Sequence, residues 1–216
     1  MKKFVMLLGA TMLLTACGQD KDQVVDSSSL ETRDGVVYLK DESRTFSGTA
    51  ESRYKNGELK SSITYIDGNK DGLTRHWYEN GNMKKETTYK GGKQDGLSRL
   101  WSEDGQLIKE ATYKEGKEDG LLQTWYEGGQ QKSVATYKDG MKVGQIRSWY
   151  ENGQVQMEAA FIDGKKDGLV RMWHQNGQLK MEAPYEDGKA GSPVRTWDEN
   201  GEELGLKATN ESEEME

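Results

Sequence analysis

One spacing governs most of this chain. Its six tryptophans, Trp77, Trp101, Trp125, Trp149, Trp173 and Trp197, stand 24 residues apart without exception. Glycines keep the same interval in three rows: Gly57 to Gly201, Gly68 to Gly188 and Gly48 to Gly168. An aromatic row, Tyr65, Tyr89, Tyr113, Tyr137, Phe161 and Tyr185, keeps it too. A fixed period between about 20 and 50 residues is the signature of a repeat array, in which each unit buries its apolar face only against its neighbours. Such an array tolerates a lean composition. Only 33% of this chain is hydrophobic and 31% is charged, which is poor material for a closed core.

Within each unit, turn signals separate strand-like runs. Asn-Gly recurs at Asn56-Gly57, Asn80-Gly81, Asn152-Gly153, Asn176-Gly177 and Asn200-Gly201, with Asp104-Gly105 and Gly128-Gly129 in the same place. Asn-Gly between alternating runs predicts a two-residue hairpin loop, because a type I′ turn needs positive φ at both central residues. The second connection has the form Asp163-Gly164-Lys165-Lys166-Asp167-Gly168 and is expected to be a four-residue loop. These loops pair Trp77 with Lys84, Arg75 with Glu86, and Glu86 with Arg99. The same register sets Glu158 between Arg147 and Arg171, and Glu182 between Arg171 and Arg195. Opposite charges across neighbouring strands favour it.

The expectation is an all-β fold: an elongated, single-layer, twisted antiparallel meander of stacked 24-residue hairpins. One face carries the Trp row, the Arg–Glu ladder and Leu73, Leu97, Leu121 and Leu169. The other carries Tyr78, Tyr126 and Tyr150 beside Met83, Leu107, Val155 and Leu179, with Ala111, Ala135, Ala159 and Ala183. There Tyr89 covers Gly72 and Gly96, a pairing that lets strands curl closely.

The start of the chain reads as an export signal. Lys2 and Lys3 precede an apolar run from Phe4 to Leu14, and Leu14-Thr15-Ala16-Cys17 resembles a bacterial lipobox. Residues 1–16 are read as a lipoprotein signal peptide, with Cys17 as the lipidated residue and the link to the membrane. Residues 17–34 are expected to be a flexible tether, 35–205 the repeat domain and 206–216 an acidic disordered tail. Cys17 is the sole cysteine, so no internal disulfide can form. Loss of Lys2 and Lys3 takes the net charge from −7 to −9. That balance argues against nucleic acid, whose phosphates need clustered Lys and Arg.

Catalytic candidates are absent. His76 and His174 become Leu100 and Asp198 one unit on, so the repeat does not require histidine. No triad can be assembled without a His partner or an activated nucleophile. A calcium site wants six to eight oxygens, and the paired aspartates of the second connection are explained by turn geometry. No enzyme, metal or cofactor is expected. The candidate binding residues are the six tryptophans, a recurrent aromatic stripe suited to gripping a partner.

The run Trp-Tyr-Glu-Asn-Gly, followed by Tyr-x-Asp-Gly-Lys-x-Asp-Gly, resembles the MORN repeat variant of YwqK-like bacterial proteins over residues 35 to 205. The resemblance implies an elongated sheet of hairpins that contacts protein or membrane lipid rather than catalysing a reaction. With the signal, it points to a lipid-anchored, extracytoplasmic scaffold of the cell envelope that binds another envelope protein. Two alternatives stay open. One is an antitoxin or immunity protein, a role ascribed to YwqK-like proteins. The other is a binder of cell-wall glycan.

Overall fold

A computed structural model gives the structure and describes residues 23–207. The signal segment with Cys17, and the tail beyond 207, lie outside the described residues. The strands are β1 (Val24–Asp26), β2 (Leu30–Arg33), β3 (Val36–Leu39), β4 (Gly48–Arg53), β5 (Leu59–Ile66), β6 (Asn69–Trp77), β7 (Met83–Lys90), β8 (Lys93–Trp101), β9 (Leu107–Lys114) and β10 (Lys117–Trp125). They continue as β11 (Gln131–Lys138), β12 (Met141–Trp149), β13 (Val155–Ile162), β14 (Lys165–Lys166), β15 (Gly168–Trp173), β16 (Leu179–Glu186), β17 (Lys189–Ala190), β18 (Val194–Trp197) and β19 (Glu203–Lys207). The one helical element among the described residues is a single 3-10 turn, Ser27–Ser29. From β4 to β19 the sheet is the expected antiparallel meander, with β14 and β15 both pairing with β13, and β17 and β18 both pairing with β16.

The ion-pair register is as the sequence predicts. Arg75 faces Glu86, Glu86 faces Arg99, and Glu158 and Glu182 each lie between two arginines. The loops that set it are the reverse of those expected. The two-residue I′ turn is at the second connection: Lys90 pairs with Lys93, and both loop residues, Gly91 and Gly92, have positive φ. The same holds at Asp139-Gly140, with φ of 51° and 85°. Extra residues then bulge out around Gly96, so Tyr89 faces Gln94 on that side. At Asn80-Gly81 only the glycine has positive φ (87°). Gly81 N–H donates to the Tyr78 carbonyl at 3.0 Å, and Tyr78 N–H to the Asn82 carbonyl at 2.8 Å, which makes a three-residue loop. Lys84 is then left without a partner, because Trp77 faces Met83 while His76 faces Lys85. Loop and bulge offset each other, and the strands resume the predicted pairing by Arg75.

The two faces differ as side-chain chemistry requires. On one, Ala50, Thr87, Ala111, Ala159, Val170 and Ala183 are sealed from water, Ala159 completely at 0% exposure. Nothing but the same face can cover them in a single sheet. Larger side chains of that face do so: Tyr137, Met157, Met181 and Tyr185 pack against the cluster that holds Ala159 and Val170. Tyr89 faces Gly72, Tyr113 faces Gly96, and Phe161 faces Gly144. A methyl group added at Gly96 would come within 3.1 Å of Thr88.

The amino-terminal end departs from expectation. Within the segment read as a tether, β1 pairs in parallel with β4, and β2 pairs with β3 as a hairpin. Hydrogen bonds from Val37 N–H to the Gly68 carbonyl (2.9 Å) and from Gly68 N–H to the Phe46 carbonyl (2.7 Å) bind that hairpin over the first repeat. Val37, Phe46, Ala50 and Tyr65 form a small core beneath it. The first strand of an array has no preceding unit, and this cap supplies the missing neighbour. The sheet is therefore not purely antiparallel.

A repeat-spanning face and the ladders behind it

Three parallel rows run along the exposed face. The first is the predicted Trp row, and every member is half-buried. Because of the bulge, the indoles do not alternate with Lys84, Lys132 and Lys180. They face Met83, Leu107, Gln131, Val155, Leu179 and Glu203 across the strand. Met83, Leu107, Val155 and Leu179, expected beside the tyrosines, thus belong with the tryptophans. Cations stand over two of the rings, Arg147 at 5.9 Å from Trp149 and Arg195 at 5.0 Å from Trp197.

The second row is ionic. Arg75 meets Glu86 at 2.7 Å, Arg99 meets Glu110 at 2.5 Å, and Arg171 meets Glu182 at 2.8 Å; Arg147 pairs with Glu158. Arg195 turns to Glu203 instead of Glu182. The row is neutral overall where it is paired, and at the surface each pair contributes little. The third row is Leu73, Leu97, Leu121 and Leu169, exposed by 38% to 45%. Gln145 interrupts it. Sequence reasoning placed these leucines on this face but did not count them as binding residues.

The tyrosines expected on the opposite face have a structural task that a single hairpin does not disclose. Tyr54, Tyr78, Tyr126 and Tyr150 each donate a hydroxyl hydrogen bond of 2.7–2.8 Å to the carbonyl of Trp77, Trp101, Trp149 and Trp173 respectively. Each bond reaches 23 residues ahead, into the next unit. His174 holds the corresponding place, with its Nε2 at 2.9 Å from the Trp197 carbonyl. Lysines cover the outer faces of these rings: Lys60 on Tyr54, Lys84 on Tyr78 and Lys132 on Tyr126, at 5.1–5.6 Å.

The turns are laddered as well. The Asn80 side chain accepts from Asn82 N–H (2.9 Å) and donates to the Glu103 carbonyl (3.0 Å) of the next turn. Asn56, Asn152 and Asn176 repeat this arrangement. At the other end of the hairpins, the carboxylates of Asp71, Asp95, Asp119 and Asp167 accept backbone N–H groups of the following I′ turn at 2.9–3.3 Å. Those aspartates serve as turn bridges, and no group of three or more His, Cys, Asp or Glu side chains suited to a metal occurs among the described residues. No helix among them is long and apolar enough to cross a membrane.

The MORN repeat variant pattern matches the chain at residues 47–67, 70–90, 94–115, 142–163 and 166–187, together half of its length. Each matched segment begins in or just before one repeat strand and ends at or beside the next I′ turn. The unit between 118 and 141, where Gln123 and Val134 replace the ion pair, is unmatched. No curated protein matches the chain.

Proposed function

Since this chain belongs to the MORN repeat variant family, a repeat-based interaction module, we propose that it is a lipid-anchored envelope lipoprotein that binds an elongated protein partner along the exposed face. The observation carrying this reading is the exposed leucine row running parallel to the half-buried indoles. Apolar side chains repeated at every second strand, roughly 9.6 Å apart, give a partner regularly spaced anchors, and the ion-pair row between them adds a polar register. A free monomer gains nothing from leaving four leucines on the face that does not hold the core. The run Leu14-Thr15-Ala16-Cys17 supports lipid attachment at Cys17 and a location outside the cytoplasm. The acidic balance of the chain fits a protein partner and not nucleic acid. An envelope toxin neutralised by this protein would be one case of the same surface at work. Glycan binding fits the face less well, because the indoles are half-buried against Met83, Leu107, Val155 and Leu179 instead of presented as open platforms.

Photo-crosslinking in intact cells tests this reading. A crosslinker in place of Leu121 is expected to capture one discrete envelope protein. Leu97→Asp with Leu169→Asp should abolish that adduct in a protein that still folds, and so should Trp125→Ala with Trp149→Ala. Retention of the adduct in both variants would overturn the assignment of the face. Cys17→Ser should leave the membrane fraction or accumulate uncut; unchanged processing and partitioning would overturn the anchor.

A further inference from the structure

Five turns of this chain carry Asn-Gly. In that pair the asparagine side chain is readily attacked by the next backbone nitrogen, because glycine puts no Cβ in the way. The backbone treats the five turns alike. Gly57, Gly81, Gly153, Gly177 and Gly201 have φ of 84–90°, and each donates its N–H to the carbonyl three residues back at 2.9–3.1 Å. All five asparagines are exposed. A difference in their chemistry therefore lies in what holds the side-chain amide.

Four of the amides are held at both ends. Oδ1 of Asn56, Asn80, Asn152 and Asn176 accepts the N–H two residues on, at 2.9–3.1 Å. Nδ2 of the same four donates to the carbonyl of Glu79, Glu103, Gln175 and Glu199 in the next turn, at 2.6–3.0 Å. Asn200 makes neither bond. Asp198 stands where those units have tyrosine or histidine, and its carboxylate accepts the N–H groups of Asn200 (2.9 Å) and Glu202 (2.8 Å). The N–H that Asn200 Oδ1 would accept is thus already taken. No further turn follows among the described residues, so Nδ2 reaches only the Asp198 carboxylate, at 3.4 Å. The other turn capped from that position is Ser102 on Gln106 N–H, and its loop carries Asp104-Gly105, with no amide to lose.

We propose that Asn200-Gly201 is a spontaneous modification site, at which Asn200 deamidates while the four laddered asparagines are protected. The Gly201 nitrogen attacks Cγ of Asn200. The N–Cγ bond forms, the Cγ–Nδ2 bond breaks, and ammonia leaves with the proton from Gly201 N–H. Water then opens the cyclic imide at either carbonyl, giving aspartate or isoaspartate. Ring closure needs Cγ to swing onto the glycine nitrogen with its amide free to depart. In the laddered turns both amide bonds must open first; at Asn200 neither stands in the way. The product sets a new carboxylate beside Asp198, Glu199 and Glu202. As isoaspartate it also lengthens the main chain of the loop that joins β18 to β19. The effect is confined to the last hairpin, where Trp197 faces Glu203.

The full chain is aged at neutral pH, folded and in guanidinium chloride, and peptide mapping by mass spectrometry follows the five sites and separates aspartate from isoaspartate. Each folded rate is taken relative to the unfolded rate of the same site. On that scale Asn200 should react at least about tenfold faster than Asn56, Asn80, Asn152 and Asn176, because two hydrogen bonds of ordinary strength protect the others. Asp198→Ala returns the Glu202 N–H to Asn200 and should slow its reaction severalfold. If the turn reacts only because the end of the array frays, loss of that cap would speed it instead. Hydrogen exchange should show β19 loosening with age in the parent chain and not in Asn200→Gln, whose longer side chain closes the ring far more slowly. Equal relative rates at the five sites, a faster Asn200 in Asp198→Ala, or equal loosening of β19 in Asn200→Gln would each overturn the proposal.

Discussion

The tyrosine ladder makes a prediction with two opposite signs. Tyr126 donates its hydroxyl to the Trp149 carbonyl at 2.8 Å, while its ring carries the Lys132 ammonium at 5.2 Å. Tyr126→Phe keeps the ring and the cation above it and removes only the hydrogen bond between units. A net protein hydrogen bond contributes about 1 kcal/mol, and the loss rises toward about 2 kcal/mol when the acceptor left behind is shielded from water. The site is half-buried, so the lower value applies. In the preceding unit the chain omits this tie: Ser102 stands at the tyrosine position, and its hydroxyl accepts Gln106 N–H at 3.1 Å. Ser102→Tyr should restore the bond to the Trp125 carbonyl and stabilise the array by about 1 kcal/mol, less the loss of that local cap. Urea unfolding of the two variants, compared at equal m-value, measures both effects. If both changes fall within about 0.3 kcal/mol of zero, the measurement limit for such sites, the hydroxyl is merely exchanging one solvent contact for another. The repeats would then be held together by the backbone ladder and the turn ladders of Asn80 and Asp95.

Three further expectations follow from the same geometry. Asp139→Ala, at φ of 51°, should cost on the order of 1 kcal/mol or less, because aspartate visits the left-handed region more readily than alanine does. Asn80→Ala meets no such strain and should lose only the side-chain bonds to Asn82 and Glu103. Paired urea curves with Asn80→Gly and Asp139→Gly distinguish them, since glycine should rescue the second site and not the first. Deleting residues 96–119 should leave a shorter folded sheet with a modest loss of stability, because it rejoins equivalent positions; deleting 12 residues, roughly one strand of a hairpin by the repeat period, should unfold the array locally, as circular dichroism and proteolysis would report. Tyr113 is pushed up to about 12 by burial and then by the Glu118 carboxylate. Its folded pKa exceeds the unfolded value near 10. The neutral phenol therefore contributes stability that is complete below pH about 10 and is lost as pH rises toward about 12. Glu118→Gln should move that loss to higher stability at alkaline pH, read by tyrosinate absorbance alongside unfolding.

Most of the fold is legible because the repeat states it many times over. A period of 24 residues fixes which strands are equivalent, and the recurring Arg–Glu pairs fix how they face each other. The turn types were not legible, and the reason is chemical. Asn-Gly is compatible both with a two-residue I′ loop and with a three-residue loop that needs positive φ only at glycine. The choice between them is made by contacts outside the hairpin. Only in the stacked array does the Asn80 amide find the Glu103 carbonyl, and only there does the Asp95 carboxylate find the N–H of Glu115 in the following I′ turn. The outer part of the cap, β1 and β2, is illegible for a related reason. Val24, Val25 and Leu30 carry no periodic pattern, and their order comes from covering the free edge of β4 and the first core cluster.

The candidate sites divide along the same line. The face bearing tryptophans and leucines follows from alternation along a strand, so parity in the sequence is enough to find it. What stands opposite each indole is not, because one unpaired residue at Lys84 exchanges a lysine for Met83. The lysines of the tyrosine face are further still from a sequence reading. Lys60, Lys84 and Lys132 look like ordinary solvated charges until the array sets them over the rings of Tyr54, Tyr78 and Tyr126. In a repeat protein the structural requirement at any position is written in the other units. Departures from it therefore mark residues that the fold does not explain. By that criterion Lys60, Lys84 and Lys132 belong to the repeat, and Ser102 at the tyrosine position is the departure that the fold leaves unexplained.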